Sequence, residues 1–275
     1  MDYKGYEIVQ FVDDNEMIEF YRDPKRNLFN LNQNEYAMVR DPSGRMIDKL
    51  KWNGKQCVQV KYIPVKNDYS GKIVPRNDEQ ELAFDLLQDR NSTVKLLTGT
   101  WGSGKTMLMA AHAVNEVLKN RAEKIVWIRN NFVTRDSKDI GYLPGDFTQK
   151  MIVWAAPLAD HLGGEDGLRQ AMDNGMVEIQ HLGFIRGRDI KNAIVLCSEA
   201  ENLTRAHMAL LLSRIGEGSQ LWLDGDTAQT DHQRFDIDSG IHAVIEALRG
   251  DPLFGYVELQ KTERSPTAEL AGKLL

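Results

Sequence analysis

Residues Gly99 to Thr106 read GTWGSGKT, the spacing G-x-x-x-x-G-K-[ST] of a loop that wraps phosphate. Gly99, Gly102 and Gly104 let the backbone fold back, so that N–H groups of the loop, Thr100, Trp101 and Ser103 among them, face one anion. Lys105 sets a point charge on the outer phosphates. Thr106 offers a hydroxyl to a magnesium ion. A helix starting there, with Met107 in its first turn, aims its positive end at the same phosphates. A glycine-rich run can match by chance, and context separates the two cases. Val94 to Leu97 (VKLL) reads as a short buried strand, and Met107 to Leu118 as a helix. Strand, loop, helix is the context a nucleotide site needs, so ATP and Mg2+ are the expected ligands.

The chain of 275 residues is 42% hydrophobic, enough for one large domain with a small appendage. Its two cysteines, Cys57 and Cys197, form neither a disulfide framework nor a zinc pattern. No run approaches membrane-spanning length and the N-terminus is no signal peptide, so no membrane partner and a cytoplasmic setting are expected. A formal charge of -6 removes any bulk-electrostatic case for nucleic-acid binding; such binding needs a local patch.

Residues 1–72 read as a β-rich segment and 73–275 as the nucleotide-binding domain. Tyr6 to Val12, Glu35 to Arg40, Arg45 to Trp52 and Gln56 to Val65 are strand-like runs, and the turns Asp41-Pro42-Ser43-Gly44 and Asn53-Gly54 suggest a meander. This segment is either a structural add-on or a nucleic-acid platform. Asn67 to Gly71 reads as a linker. Asn77 or Asp78 caps a helix running through Leu87, with Leu82, Phe84, Leu86 and Leu87 as its packing face. Gln80 at its start either meets an adenine edge or lies in solvent. Further strands are expected at Lys124–Arg129, Met176–His181, Asn192–Cys197, Gln220–Leu223 and Tyr256–Leu259. Helices are expected at Met151–Leu162, Glu165–Asn174, Glu201–Leu212, Gly240–Leu248 and from Thr267. Such alternation means an α/β fold, a mostly parallel sheet covered by helices on both faces. The polar run Asn130–Pro144 falls at a strand end, where open sheets place ligand contacts.

Two other strand ends carry acidic groups. After Cys197 come Ser198, Glu199, Ala200 and Glu201. Glu199 is placed to act as base toward water, and Ser198 stands where a carboxylate near the metal is expected. The other strand end reads Asp224-Gly225-Asp226-Thr227-Ala228-Gln229. Gln229 suits a sensor of the γ-phosphate, while Asp224 and Asp226 also fit a capped turn. Arg264, past the last strand, suits transition-state charge in its own or a neighbour's site, or a surface ion pair. Arg186, Arg188 and Lys191 form the tight basic cluster near the expected sheet edge. They would grip a phosphate backbone, reach a neighbour's nucleotide, or sit solvated beside Asp189.

Taken together, several runs resemble the PhoH family of ATPases. They are GTWGSGKT, KDIGYLPGD (Lys138–Asp146), FIRGRD (Phe184–Asp189), SEAENLT (Ser198–Thr204), SRIGEGS (Ser213–Ser219), DGDTAQTD (Asp224–Asp231) and ERSPTAELA (Glu263–Ala271). PRNDEQELAFDLL (Pro75–Leu87) resembles the family's adenine-side motif. The resemblance covers about Pro75 to Leu275 and is nearest to the ATPase half of proteins that join a PIN nuclease to a PhoH domain. No PIN domain precedes it, so nuclease activity is not expected. The resemblance implies a RecA-like P-loop NTPase core related to superfamily 1 helicases, and ATP hydrolysis with magnesium. It also implies a ring-shaped homo-oligomer, a hexamer, acting on RNA or another single strand. Two departures stand out. SEAEN replaces the family's DEAQN, and Asp224 replaces a threonine. Either hydrolysis is slow or absent and the chain is a nucleotide-gated scaffold, or the metal's carboxylate has moved by one strand. The second requires that the strand ending at Asp224 lie between the P-loop strand and the strand ending at Ser198.

Overall fold

The computed structural model describes residues 3–69, 71–129, 152–227 and 238–263. The N-terminal part is a four-stranded sheet of β1 (Tyr6–Gln10), β2 (Tyr36–Arg40), β3 (Met46–Trp52) and β4 (Cys57–Gln59). The meander holds for β2 to β4, which pair antiparallel. β1 instead pairs parallel to β2, a connection that needs a crossover. That crossover contains α1 (Asp14–Arg22), a helix absent from the sequence expectation. Its signal was present, since Asp13 caps the Asn15 and Glu16 amides. The expected linker is the turn of a hairpin between β5 (Val65–Asn67) and β6 (Gly71–Ile73).

The helix α2 (Asp78–Gln88) is capped by Asn77 and buries Leu82, Phe84, Leu86 and Leu87 as expected. After it come β7 (Val94–Gly99), α3 (Lys105–Leu118), β8 (Lys124–Arg129), α4 (Ala156–Ala159), α5 (Glu165–Asp173) and β9 (Val177–His181). Then follow β10 (Ala193–Ser198), α6 (Arg205–Leu212), β11 (Gln220–Gly225), α7 (Gly240–Leu248) and β12 (Phe254–Leu259). The helix expected from Glu201 begins four residues later, because Thr204 caps it and Ala200–Asn202 form a separate 3-10 turn.

Six strands form one sheet in the order β12-β7-β11-β10-β8-β9, parallel throughout. This is the RecA-like arrangement. The P-loop strand β7 sits between β11 and β12, so its neighbours in space come late in the chain. Alternate residues of each strand feed two cores. Leu97, Trp127, Leu196 and Trp222 pack under α2 to α5, and Leu96, Val126, Val195 and Leu223 under α6 and α7. Apolar residues on both faces give the near-continuous hydrophobic strands of a buried parallel sheet.

The N-terminal part joins the first of these cores, through Tyr6, Tyr36 and Met38 of its sheet and Val65 of the β5–β6 hairpin. Polar ties to α2 reinforce it. Tyr36 donates to Asp85, and Lys51 is bridged to Asp85 and Asp89. Its other face closes a small core of its own around Phe11, Phe20 and Val39. Gly5 lies against β12 so closely that a Cβ there would stand 1.9 Å from the Tyr256 carbonyl oxygen. A structural add-on describes this packing well.

Candidate nucleotide site

The P-loop leaves β7 at Gly99, which has φ of +139° and no room for a side chain: a Cβ would lie 2.0 Å from the Leu259 carbonyl oxygen. Gly104, left-handed at φ +94°, precedes α3 and supplies no side-chain cap. The first N–H groups of α3 therefore remain available to an anion. Inside the loop, the Ser103 hydroxyl donates to the Thr100 carbonyl at 2.8 Å. Lys105 arches over the loop, and its Nζ donates to the carbonyls of Gly99 (2.7 Å) and Thr100 (2.9 Å).

Gln80 is neither in solvent nor open toward a base, as the sequence reading had it. It is buried, with Nε2 donating to the Ser103 carbonyl at 2.9 Å and Oε1 accepting from the Arg76 amide at 3.0 Å. It braces the loop from below. A second brace comes from the segment after β12. The Glu263 amide donates to the Gly102 carbonyl at 3.0 Å, and the Thr100 hydroxyl to the Gln260 carbonyl at 3.2 Å. That segment is held in turn by Glu79, whose Oε2 accepts from the amides of Gln260 (2.7 Å) and Lys261 (3.0 Å).

The strand order puts β11 between β7 and β10, as the shifted-carboxylate reading requires. Thr106 Oγ1 donates to Asp224 Oδ2. Asp224 is 2% exposed, and its Oδ1 is buried with no hydrogen-bond partner. Burial pushes the Asp224 carboxyl up to about 6, against the pull of the Thr106 hydroxyl and the Lys105 charge. Ser198 is also buried, one step beyond the paired Cys197 and Leu223. These residues fit a hydrated magnesium ion. Among the described residues no cluster of three or more His, Cys, Asp or Glu side chains forms a closed metal cage. Magnesium at a phosphate site needs none, since it keeps water and substrate oxygens as ligands.

Glu199 follows in the left-handed region, φ +56° and ψ +46°. Its carboxylate is gripped by the Arg129 guanidinium, Nε to Oε2 at 3.1 Å and a terminal nitrogen to Oε1. Glu201 accepts from the Asp226 amide at 3.1 Å. Burial, aided by the Asp224 charge, raises the Glu201 carboxyl to about 8.

Against this geometry, the family model described as PhoH-like protein matches residues 72–272. This chain belongs to the PhoH family. Protein PhoH2 of Mycolicibacterium smegmatis is 38% identical over 203 residues, covering 73% of this chain and 46% of that protein. Protein PhoH2 of Bacillus subtilis is 33% identical over 264 residues, covering 92% of this chain and 58% of that protein. The second likeness therefore reaches into the N-terminal sheet. The chain spans about half the length of these curated relatives. A solved structure, the flagellar accessory protein FlaH of Methanocaldococcus jannaschii, aligns at TM-score 0.36 and 9% identity over 69% of this chain and 78% of that one, adding nothing to the topology.

Of the other residues singled out from the sequence, Gln229, Arg264, the run Asn130–Pro144 and the helix from Thr267 lie outside the described residues. The basic cluster is less available than its sequence suggests. Arg188 is bonded to Glu178, which Lys124 also holds at 2.9 Å. Burial opposes ionisation of Glu178, but these two cations prevail and keep its carboxyl at about 2. Lys191 pairs with Asp189 at 3.1 Å, and Arg186 is exposed. Arg129 and Glu79 escaped the sequence reading. The signal for Arg129 was a charged residue closing the apolar strand KIVWIR at the edge where the other strand ends carry chemistry. No helix among the described residues is long and apolar enough to cross a membrane.

Proposed function

We propose that this PhoH-like protein binds ATP with magnesium and hydrolyses it, and that single-stranded nucleic acid, RNA foremost, stimulates turnover. The observation that carries the reading is the Thr106–Asp224 pair beneath the P-loop, with one buried carboxylate oxygen unsatisfied. Leaving a buried polar atom unpaired is costly, and a hydrated cation beside phosphate would satisfy it. When bound, magnesium neutralises charge on the outer phosphates. The loop N–H groups and Lys105 hold those phosphates in place. Glu199 takes a proton from water as the water oxygen bonds to the γ-phosphorus. The bond from that phosphorus to the bridging oxygen breaks, and its electron pair leaves with ADP. Gln229 and Arg264 are assigned to the γ-phosphate and to transition-state charge. A hexameric ring would let an arginine of one copy serve the next.

A second reading, the nucleotide-gated scaffold, draws support from Ser198 and from the Arg129 grip on Glu199, which engages the carboxylate the hydrolase reading needs as base. Steady-state phosphate release separates the two when compared with Lys105→Ala. Turnover well above that variant favours the hydrolase, and equal rates favour the scaffold. The shifted carboxylate has its own test. Asp224→Thr abolishes magnesium-dependent turnover, and adding Ser198→Asp restores it. Normal hydrolysis by Asp224→Thr would overturn that role for Asp224.

A further inference from the structure

Residues 61–76 carry four cations, Lys61, Lys66, Lys72 and Arg76, against one acid, Asp68, in a chain whose formal charge is -6. Three of the four lie on the β5–β6 hairpin and on the segment leading from it to α2. The hairpin belongs to neither large sheet. Its Val65 and Asn67 are buried, and Lys66 between them is exposed. Antiparallel register sets Lys66 directly opposite Lys72, which is also exposed. Like charges facing each other across a strand pair are destabilising. Among the described residues neither ammonium has an acidic partner to relieve this. A polyanion seated across the pair removes the repulsion.

The same surface continues toward the nucleotide site. Residues 72, 74 and 76 are exposed while 73, 75 and 77 are partly covered, the period of an extended chain with one face outward. At its end Arg76 touches both braces of the P-loop. Its amide donates to Gln80 Oε1 at 3.0 Å, and Gln80 donates to the Ser103 carbonyl. Its guanidinium donates to the Glu263 carbonyl at 3.3 Å, and the Glu263 amide donates to the Gly102 carbonyl. A guanidinium has five N–H donors, so it can take a phosphate and keep that carbonyl. Tyr69, midway in sequence between the two lysines, is 57% exposed. Its ring rests on Gly163, where a Cβ would come within 2.9 Å of it. Cations flanking an exposed ring suit the phosphates and an unstacked base of a single strand, which an acidic protein or lipid surface does not offer.

We propose that the β5–β6 hairpin and the segment after it form a track for single-stranded nucleic acid. Lys66, Lys72 and Arg76 hold its phosphates, Tyr69 takes a base, and Arg76 passes the contact to the P-loop. This rests on the reading above that a single strand stimulates turnover, and it names the surface that strand occupies.

The experiment reads binding of fluorescein-labelled oligouridylate by anisotropy at several salt concentrations, and ATP turnover with and without saturating oligouridylate. Replacing both lysines, Lys66→Ala with Lys72→Ala, weakens binding about ten-fold and lowers the slope of log affinity against log salt by about 1.4, the share of two single-strand phosphates. RNA-free turnover is unchanged, and Lys66→Arg with Lys72→Arg keeps the binding. Tyr69→Ala weakens binding about five-fold and leaves the salt slope as it was. Arg76→Ala lowers the ratio of RNA-saturated to RNA-free turnover toward one, and Arg76→Lys keeps part of that ratio. Removing two exposed cations elsewhere, Lys25→Ala with Arg26→Ala, leaves binding and stimulation alone. Equal loss in that control, or wild-type affinity in the paired lysine variant, overturns the proposal. Full stimulation in Arg76→Ala overturns the link to the P-loop. Pelleting with phosphatidylserine vesicles that needs Lys66 and Lys72, while oligouridylate binding does not, also overturns it and assigns the track to a membrane surface. If wild type neither binds oligouridylate nor responds to it, the single-strand reading itself has failed.

Discussion

Half-buried Glu201 and buried Lys95 are ionisable residues with opposite consequences. The folded state raises the Glu201 carboxyl from 4.5 to about 8, by burial and then by the Asp224 charge. Between those values the unfolded chain has released a proton that the folded chain keeps, so this contribution to stability is full below about 4.5 and lost as pH rises toward 8. Glu201→Gln keeps the shape without the titration. Its urea midpoint declines less than wild type between pH 5 and 8.5, and equal declines would refute the assignment. Lys95 works the other way. It is 1% exposed, donates to the Leu87 carbonyl at 2.8 Å and sits 4.9 Å from the Trp222 ring centroid. Burial lowers its ammonium from 10.5 to about 7. Its contribution is therefore present above pH 10.5 and lost as pH falls toward 7. Lys95→Met removes that slope, and a variant that still gains stability with pH like wild type would count against it.

At the scale of elements, the P-loop is not held by its own sequence alone. It rests on α2 through Gln80 and on the segment following β12, which Glu79 gathers by two backbone amides. Hydrogen bonds to a buried or half-buried carboxylate exceed neutral ones in strength, so removing this acceptor loosens the strap over Thr100 and Gly102. Glu79→Ala weakens ATP binding by about three- to ten-fold, read from Trp101 emission, with a smaller effect on kcat. Unchanged affinity would show that the loop keeps its shape without the strap. The same carboxylate accepts from Tyr6 at 3.1 Å, so the strap also touches the N-terminal sheet.

For the whole molecule, Tyr6, Tyr36, Met38 and Val65 share a core with α2 and α3. Two regions that bury one another's apolar surface melt together. Calorimetry on the full chain is expected to give a single transition, and two resolved transitions would show that residues 1–72 fold on their own. A chain starting at residue 73 leaves one side of α2 uncovered and takes Tyr36 and Lys51 from the carboxylates of Asp85 and Asp89, so it melts lower.

How far the sequence alone reached is clearest residue by residue. GTWGSGKT between a strand and a helix determined the phosphate loop, and apolar strands alternating with helices determined a parallel sheet, because both signals are local. That Thr106, Asp224, Ser198 and Glu199 share one sheet edge was legible because strand ends of an open parallel sheet converge. The helix Asp14–Arg22 was passed over amid turns and alternating runs, although its cap was in plain view. Other features were decided only by tertiary structure. Gln80 faces inward because α2 packs under the P-loop. Arg188 belongs to Glu178, and not to an open basic cluster with Arg186 and Lys191, because β9 presents that glutamate ten positions earlier. Arg129 meets Glu199 across seventy positions of chain because β8 and β10 are neighbours. Sequence spacing fixes what a residue can do; which partner it does it with depends on strand order, and no local pattern encodes that.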